Sequence, residues 1–76
     1  MKKPSTVEEL RDLVGKEFEI VDNQFGHEFN VFETVTLIKE SEQDYSFDYI
    51  ISNYFPLKFK NEHDYWYCGF EDVELL

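Results

Sequence analysis

Hydrophobic residues near the start of the chain recur with the period of an α-helix. Val7, Leu10 and Val14 stand three and four positions apart, which places them on one helical face. Ser5 precedes this stripe as an N-cap candidate, acidic residues fill the first turn, and a glycine follows the stripe. These signals predict a helix over residues 5–14 whose apolar face packs against the rest of the protein.

From residue 16 onward the hydrophobic pattern changes to the alternation of half-buried β-strands. Strands are predicted over residues 16–22, 34–39, 45–51, 63–68 and 73–75. The first two are joined by a long loop that we expect Phe25 and Phe29 to anchor, and residues 40–44 form a polar turn. Pro56 removes a backbone donor from residues 52–57, which predicts an edge or an irregular crossing there.

Several short strands and one short helix predict a mainly β protein. The chain is too short for helical crossovers, so a small antiparallel barrel or half-barrel over residues 16–76 is the simplest architecture, within a single domain that spans residues 1–76. The predicted core consists of inward-facing positions on the strands: Phe18, Ile20, Val35, Leu37, Phe47, Trp66 and Val73.

Several short motifs resemble small SH3-like barrel proteins that bacteriophages and related mobile elements encode, most of which have no assigned activity. The motifs are Val14-Gly15-Lys16-Glu17-Phe18-Glu19-Ile20, Gly26-His27-Glu28-Phe29, Glu33-Thr34-Val35-Thr36-Leu37-Ile38, Trp66-Tyr67-Cys68 and Glu71-Asp72-Val73-Glu74-Leu75-Leu76. The resemblance covers about residues 14–76, although Phe32 stands where such chains usually have a glycine and residues 51–61 look like an insertion. It implies an SH3-like barrel and a viral setting, in which very small proteins often bind and inactivate a host enzyme or defence component.

The charge of the chain limits the partners that it can attract. Its 76 residues include 7 basic and 17 acidic side chains, a formal net charge of −10. Such a charge disfavours direct binding to nucleic acid or to an anionic membrane, and it favours a host protein with a basic surface. The sequence has no apolar segment that resembles a signal peptide or a membrane span, so we expect a cytoplasmic protein, either a monomer or a weak homodimer.

Candidate catalytic and metal-binding residues are few, and none has the spacing of a known site. His27, His63 and Cys68 are the only imidazole and thiol groups, and their spacing matches no zinc pair. Cys68 follows Trp66 on a predicted strand without a basic activator nearby in sequence, so we interpret it as a small buried residue. Carboxylate pairs carry little information in a chain with so many acids. We therefore predict a non-enzymatic protein without a cofactor or a metal.

Two segments of the second half contain acids and no base, namely residues 40–48 and 61–76. We predict that they form one negative patch, which acts as a nucleic-acid mimic and occupies a basic, nucleic-acid-handling surface of the host protein. Adjacent tyrosines provide further contacts. The predicted partner-binding residues are Glu42, Asp44, Asp48, Glu62, Asp64, Glu71, Asp72, Tyr45, Tyr65 and Tyr67. Neutralising acids of this patch should leave the thermal midpoint unchanged or slightly raised.

Three alternatives to the mimic remain open at this point. The chain has more aromatic residues than so small a core can enclose, so an exposed tyrosine surface can serve an SH3-like module that binds peptides or proteins. The chain can also be a structural accessory protein. In the third alternative, the acids bind no partner and form a face that keeps the protein soluble.

Overall fold

A computed structural model describes residues 1–24 and 26–76. In this part of the chain, five antiparallel strands form one sheet, and two short α-helices accompany it. The helices and strands are Val7–Leu13 (α1), Glu17–Ile20 (β1), Thr34–Leu37 (β2), Phe47–Asn53 (α2), Leu57–Lys60 (β3), Tyr65–Cys68 (β4) and Val73–Leu75 (β5). Two 3₁₀ turns, Glu40–Glu42 and Phe70–Asp72, precede α2 and β5. The predicted mainly β class is confirmed.

The predicted N-terminal helix is confirmed, with its cap one residue later than expected. The hydroxyl of Thr6 accepts a hydrogen bond from the backbone N–H of Glu9 at 3.2 Å. The carboxylate of Glu9 in turn accepts from the backbone N–H of Ser5 at 3.4 Å. A full capping box would have Glu9 accept from the N–H of the cap residue Thr6, whereas here it reaches the residue before the cap; the Thr6 cap begins the helix at Val7. Leu10 lies at the centre of the buried face and is fully enclosed.

The sheet follows the order β4-β3-β2-β1-β5. β1 occupies an inner position because it pairs with β2 and also with the last strand, where Ile20 lies opposite Val73. Its alternation is as predicted, with Phe18 and Ile20 buried and Glu17 exposed. The strands predicted within residues 16–22, 34–39 and 63–68 are confirmed in shorter form, and the strand predicted over residues 73–75 is confirmed with the same bounds. The sheet is open, with β4 and β5 at its two edges.

The strand predicted over residues 45–51 is wrong, because most of this segment belongs to helix α2. The hydroxyl of Ser46 caps the helix by accepting from the backbone N–H of Tyr49 at 3.2 Å. Glu40 assists from the preceding 3₁₀ turn, since its carboxylate accepts from the backbone N–H of Phe47 at 2.8 Å. A helix buries Phe47 and Ile50 on one face and leaves Tyr49 outside, whereas a strand would have placed residues 45, 47 and 49 together.

A strand that the sequence pattern missed begins at the end of the predicted irregular crossing of residues 52–57. β3 pairs with β2 and β4, so that Phe59 lies opposite Leu37 on one side and opposite Trp66 on the other. Leu57 and Phe59 are buried, and Pro56 stands just before the strand, where its missing N–H costs no ladder hydrogen bond. This strand makes the central three strands a continuous antiparallel meander.

The core lies between the inner face of the sheet and the two helices. The sheet contributes most of it, and Leu10, Phe47 and Ile50 complete it from the helices. The rings of Phe18 and Phe59 meet edge to face at 5.3 Å. Six of the seven predicted core residues are buried, whereas Trp66 packs against the core from its margin and is only partly buried. Within the described residues, neither helix has the length and apolar character needed to cross a membrane.

Candidate functional site

An aromatic groove of about 810 Å³ lies where the flanks of α2 approach β4. Its lining comes from the residues before α2, from those after α2 and from β4, and consists of Asp44, Tyr45, Tyr54, Phe55, Pro56 and Tyr67. We call this feature the aromatic groove. It faces solvent, since Tyr45 is 43% exposed and Tyr54 is 56% exposed.

Helix α2 is the element that assembles the aromatic groove. A helix of seven residues rises only about 10 Å, so it can bring Tyr45 at one flank to Phe55 at the other. Their ring centroids are 4.6 Å apart, and Tyr49 stacks on Tyr45 at 4.8 Å. Tyr54 reverses the direction of the chain after α2, because it adopts the left-handed conformation at the helix C-terminus, with φ 52°. The N–H of Phe55 then donates to the carbonyl of Ile50 at 3.1 Å.

Carboxylates stand at both borders of the aromatic groove. On one side Asp44 lies 3.3 Å from the ammonium of Lys58, and that ammonium is 5.4 Å from the ring centroid of Tyr67. On the other side the hydroxyl of Tyr54 donates a short hydrogen bond to Glu71. This hydrogen bond lowers the pKa of Glu71 and raises the pKa of Tyr54, which keeps a negative charge at that border.

The structure brings four of the ten predicted partner-binding residues to the aromatic groove. Asp44, Tyr45 and Tyr67 line it, and Glu71 borders it through Tyr54. Two others lie on the same part of the chain, away from the lining. Asp48 is exposed on α2, and Glu42 lies 3.7 Å from Lys39.

Glu62, Asp64 and Tyr65 lie toward the opposite end of β4 from Glu71. Lys60 faces Tyr65 next to the hairpin turn, whereas Leu57 faces Cys68 at the far end. The three-residue step between Tyr65 and Cys68 corresponds to about 10 Å. The antiparallel hairpin therefore divides the acids of the second segment between the two ends of β4, and the single negative patch stays a prediction.

Asp72 also departs from the prediction, because it is fully buried and cannot serve as a surface acid. One carboxylate oxygen accepts from the backbone N–H of Gln24 at 2.8 Å, and the other lies 3.9 Å from Nε2 of His27. The 3₁₀ turn at Phe70–Asp72 points Glu71 outward and Asp72 inward. Asp72 thus holds the loop before β2 to the last strand.

His27 is a buried loop residue with a structural role. Its Nε2 donates to the carbonyl of Asp22 at 2.7 Å, and its Nδ1 accepts from the backbone N–H of Phe29 at 3.1 Å. Phe29 is buried as predicted, whereas Phe25, the other predicted anchor, lies outside the described residues. Across the described part of the chain, the histidines, cysteine and acids form no group of three or more that could hold a metal ion.

Cys68 is enclosed by the core, and we expect it to be unreactive. It is 1% exposed, and burial, with a further contribution from Asp72, raises its pKa to about 12. At pH 8 only roughly one thiol in ten thousand would then be ionised, and the thiolate is the reactive form.

A disulfide reagent should modify Cys68 in the native protein at least about a hundredfold more slowly than in the guanidinium-unfolded protein. Comparable rates in the two states would show that Cys68 is accessible.

Four of the groove-forming residues were not predicted as site residues, namely Tyr49, Tyr54, Phe55 and Pro56. The excess of aromatics over the capacity of the core was the available signal, but only the fold of α2 shows which of them meet. The lining offers ring faces, hydroxyls and one carboxylate, a set suited to binding an extended or cationic group. Comparison of the chain with protein-family models, with curated proteins and with solved structures finds no match.

Proposed function

We propose that the chain is a non-enzymatic protein-binding module, an inhibitor or adaptor, that docks a positively charged segment of a partner protein in the aromatic groove. The observation that carries this proposal is the groove itself, in which exposed tyrosines adjoin one another between two carboxylates. The resemblance to small phage proteins makes a host protein in the cytoplasm the proposed partner.

The aromatic lining supports a protein ligand. Tyrosine supplies a large contact area and loses little conformational entropy on binding, which makes it common in protein interfaces. The rings of Tyr45, Tyr49 and Phe55 hold one another in place, since their centroids lie 4.6 to 5.9 Å apart. Such a preformed surface requires little ordering when a partner binds.

The charge distribution supports a basic partner. With a net charge of −10, the chain attracts positive surfaces over long range and increases their association rate. Asp44 and Glu71 supply local carboxylates at the two borders of the groove. The mimic hypothesis further holds that this basic surface of the partner normally handles nucleic acid.

The fold proposed together with this function is an SH3-like barrel that is open between β4 and β5. Consecutive strands from β1 to β4 are neighbours, and β5 returns to the free side of β1. The 3₁₀ turn at Phe70–Asp72 connects the two edge strands. In a closed five-stranded barrel with this connectivity, β5 would pair with β1 on one side and with β4 on the other. The observed order has the first of these pairings, and it supports the proposed architecture.

Two tyrosine variants with similar exposure test the proposed function. Tyr45→Ser removes a ring from the aromatic groove, whereas Tyr65→Ser removes a 53% exposed ring that is not among the groove-lining residues. Tagged wild-type and variant proteins are used to capture partners from a host-cell lysate, and the captured protein is then purified for affinity measurements. We expect Tyr45→Ser to weaken the affinity for the captured partner at least about tenfold. Tyr65→Ser should leave that affinity within about twofold of the wild type.

Equal losses in both variants, or no loss in either, would contradict binding in the aromatic groove. The purified partner also separates the two forms of the proposal. A partner surface that handles nucleic acid should be blocked by duplex DNA or by RNA in competition, and its affinity should fall steeply with added salt. If nucleic acid does not compete for the partner, the mimic hypothesis is wrong, and the chain is better described as an adaptor.

A further inference from the structure

Two tyrosines of the aromatic groove each hold an ammonium group of the chain itself. Lys58 lies 5.4 Å from the ring centroid of Tyr67, and Lys3 lies 4.5 Å from that of Tyr54. These are the cation–π contacts found in the described part of the chain. Because the whole sequence has only seven basic residues, this placement indicates that the groove is a favourable environment for cations.

The contact at Tyr67 has the composition of a complete cation site. Lys58 and Tyr67 are opposite partners on β3 and β4, so their side chains rise on the same outward face of the sheet. Asp44 reaches the same ammonium at 3.3 Å. The side chain of Lys58 is 21% exposed, whereas that of Asp44 is 53% exposed and remains open to an approaching group.

The side chain of Gln43, and not the ammonium of Lys58, anchors the chain next to Asp44. The side-chain amide of the preceding residue, Gln43, donates to the carbonyls of Ile38 and Lys58 at 3.1 and 3.0 Å. Its oxygen accepts from the backbone N–H of Lys58 at 2.8 Å. These three hydrogen bonds fasten the segment before Asp44 to the start of β3, and they do not use the Lys58 side chain. The backbone at Asp44 therefore stays in place when the Lys58 side chain changes, and Asp44 remains in the lining of the aromatic groove together with Tyr67.

We infer that Asp44 and Tyr67 form a subsite for an arginine side chain of the bound partner, and that Lys58 fills this subsite in the unbound protein. The inference rests on the proposed function, because the subsite lies within the aromatic groove. Arginine is the expected ligand because its planar guanidinium can stack on a tyrosine ring and also pair with a carboxylate through two parallel hydrogen bonds. Lys58 can match only part of this interaction, so arginine displaces it.

Replacing Lys58 with methionine tests the displacement directly. The probe is a blocked peptide of alternating arginine and proline, which stays extended in solution, and the same peptide with citrulline in place of arginine serves as its neutral analogue. Without its internal competitor, the Lys58→Met protein should bind the arginine peptide about tenfold more tightly than the wild type by calorimetry at low ionic strength. The citrulline peptide should show no such gain.

Lys60→Met is the matched control. Lys60 lies on the same strand and the same outward face, two residues from Lys58, and its loss changes the net charge of the chain by the same amount. We expect Lys60→Met to stay within about twofold of the wild type. Adding Asp44→Asn to Lys58→Met should remove the gain, since it takes away the carboxylate that pairs with the guanidinium. Thermal unfolding of all variants confirms that each one is folded.

Equal tightening by Lys58→Met and Lys60→Met would overturn the inference, because overall charge would then explain the effect. No tightening by Lys58→Met would overturn it as well. Either result leaves the proposed function to its own test, in which Tyr45→Ser is compared with Tyr65→Ser against the captured partner. If Tyr45→Ser still binds that partner like the wild type while Lys58→Met gains affinity for arginine, the subsite stands and the proposed function fails.

Discussion

Replacing Phe47 with alanine should lower the free energy of unfolding by about 3–5 kcal/mol. The side chain is fully enclosed and is among the largest that the core buries. Its removal loses the burial of a phenyl ring and leaves a cavity where α2 packs on the sheet. A domain of 76 residues has a total stability of only about 4–11 kcal/mol, so the variant should be largely unfolded at moderate temperature. Urea unfolding followed by circular dichroism measures the loss.

Tyr49→Ala is the matched control for this prediction, and it also distinguishes the observed helix from the predicted strand. Tyr49 lies on the same helix, and it is 43% exposed on the far side from the core. We expect its replacement to cost less than about 1 kcal/mol. A strand over residues 45–51 would have placed residues 47 and 49 on one face, and the two substitutions would then cost similar amounts. A loss below 1 kcal/mol for Phe47→Ala would contradict the packing of α2.

The parts of the fold that could be predicted are those where a single period dominates the local sequence. In β1, Phe18 and Ile20 alternate with Glu17 and Glu19, and no competing helical spacing exists. In α1, the polar caps and the stripe through Leu10 agree with one another. Where all local signals point to one structure, the pattern identifies the element and misplaces only its ends.

Helix α2 could not be predicted from the pattern because its sequence supports both periods. Tyr45, Phe47 and Tyr49 alternate with polar residues, and aromatic side chains favour strands. Ser46 and Asp48 are, however, the residues expected at the start of a helix, and the spacing of Phe47 to Ile50 fits a helical face. Packing against the sheet decides the outcome, since the helix buries Phe47 and Ile50 together.

Strand β3 was hidden by its length and by its neighbours. Leu57 and Phe59 alternate with two lysines over only four residues, and Pro56 directly before them suggested an interruption. Such a short segment becomes a strand because β2 and β4 lie on its two sides and satisfy its backbone hydrogen bonds. Tertiary pairing of this kind leaves little trace in the local sequence.

The candidate site was predictable in its residue types and not in its arrangement. The sequence indicated exposed tyrosines and nearby acids, and Tyr45, Tyr67 and Asp44 do line the aromatic groove. The contact between Tyr45 and Phe55 depends on a helix between them that the pattern did not indicate. The division of the acids depends on the register of the β3–β4 hairpin, which cannot be derived from charge spacing alone.

Glu71 and Asp72 show how adjacent acids with the same chemistry can have opposite roles. The 3₁₀ turn before β5 leaves Glu71 exposed beside Tyr54 and encloses Asp72 completely. Asp72 lies against His27 and the backbone of Gln24, and β5 follows it immediately in the chain. A carboxylate in this position ties the loop between β1 and β2 to the end of the sheet. Its substitution should therefore lower the stability of the protein, whereas neutralising an acid of a surface patch should leave the stability unchanged or slightly raised.

Asp72→Ala should lower the free energy of unfolding by about 2–3 kcal/mol, because it leaves the N–H of Gln24 without its buried acceptor and removes a polar neighbour from the enclosed ring of His27. Glu71→Ala removes the same charge one residue away from an exposed position, so it should change stability by less than about 0.5 kcal/mol. Thermal and urea unfolding of the two variants measure the difference. If both variants keep the wild-type stability, Asp72 is not the buried anchor of this loop, and relief of charge repulsion accounts for both substitutions.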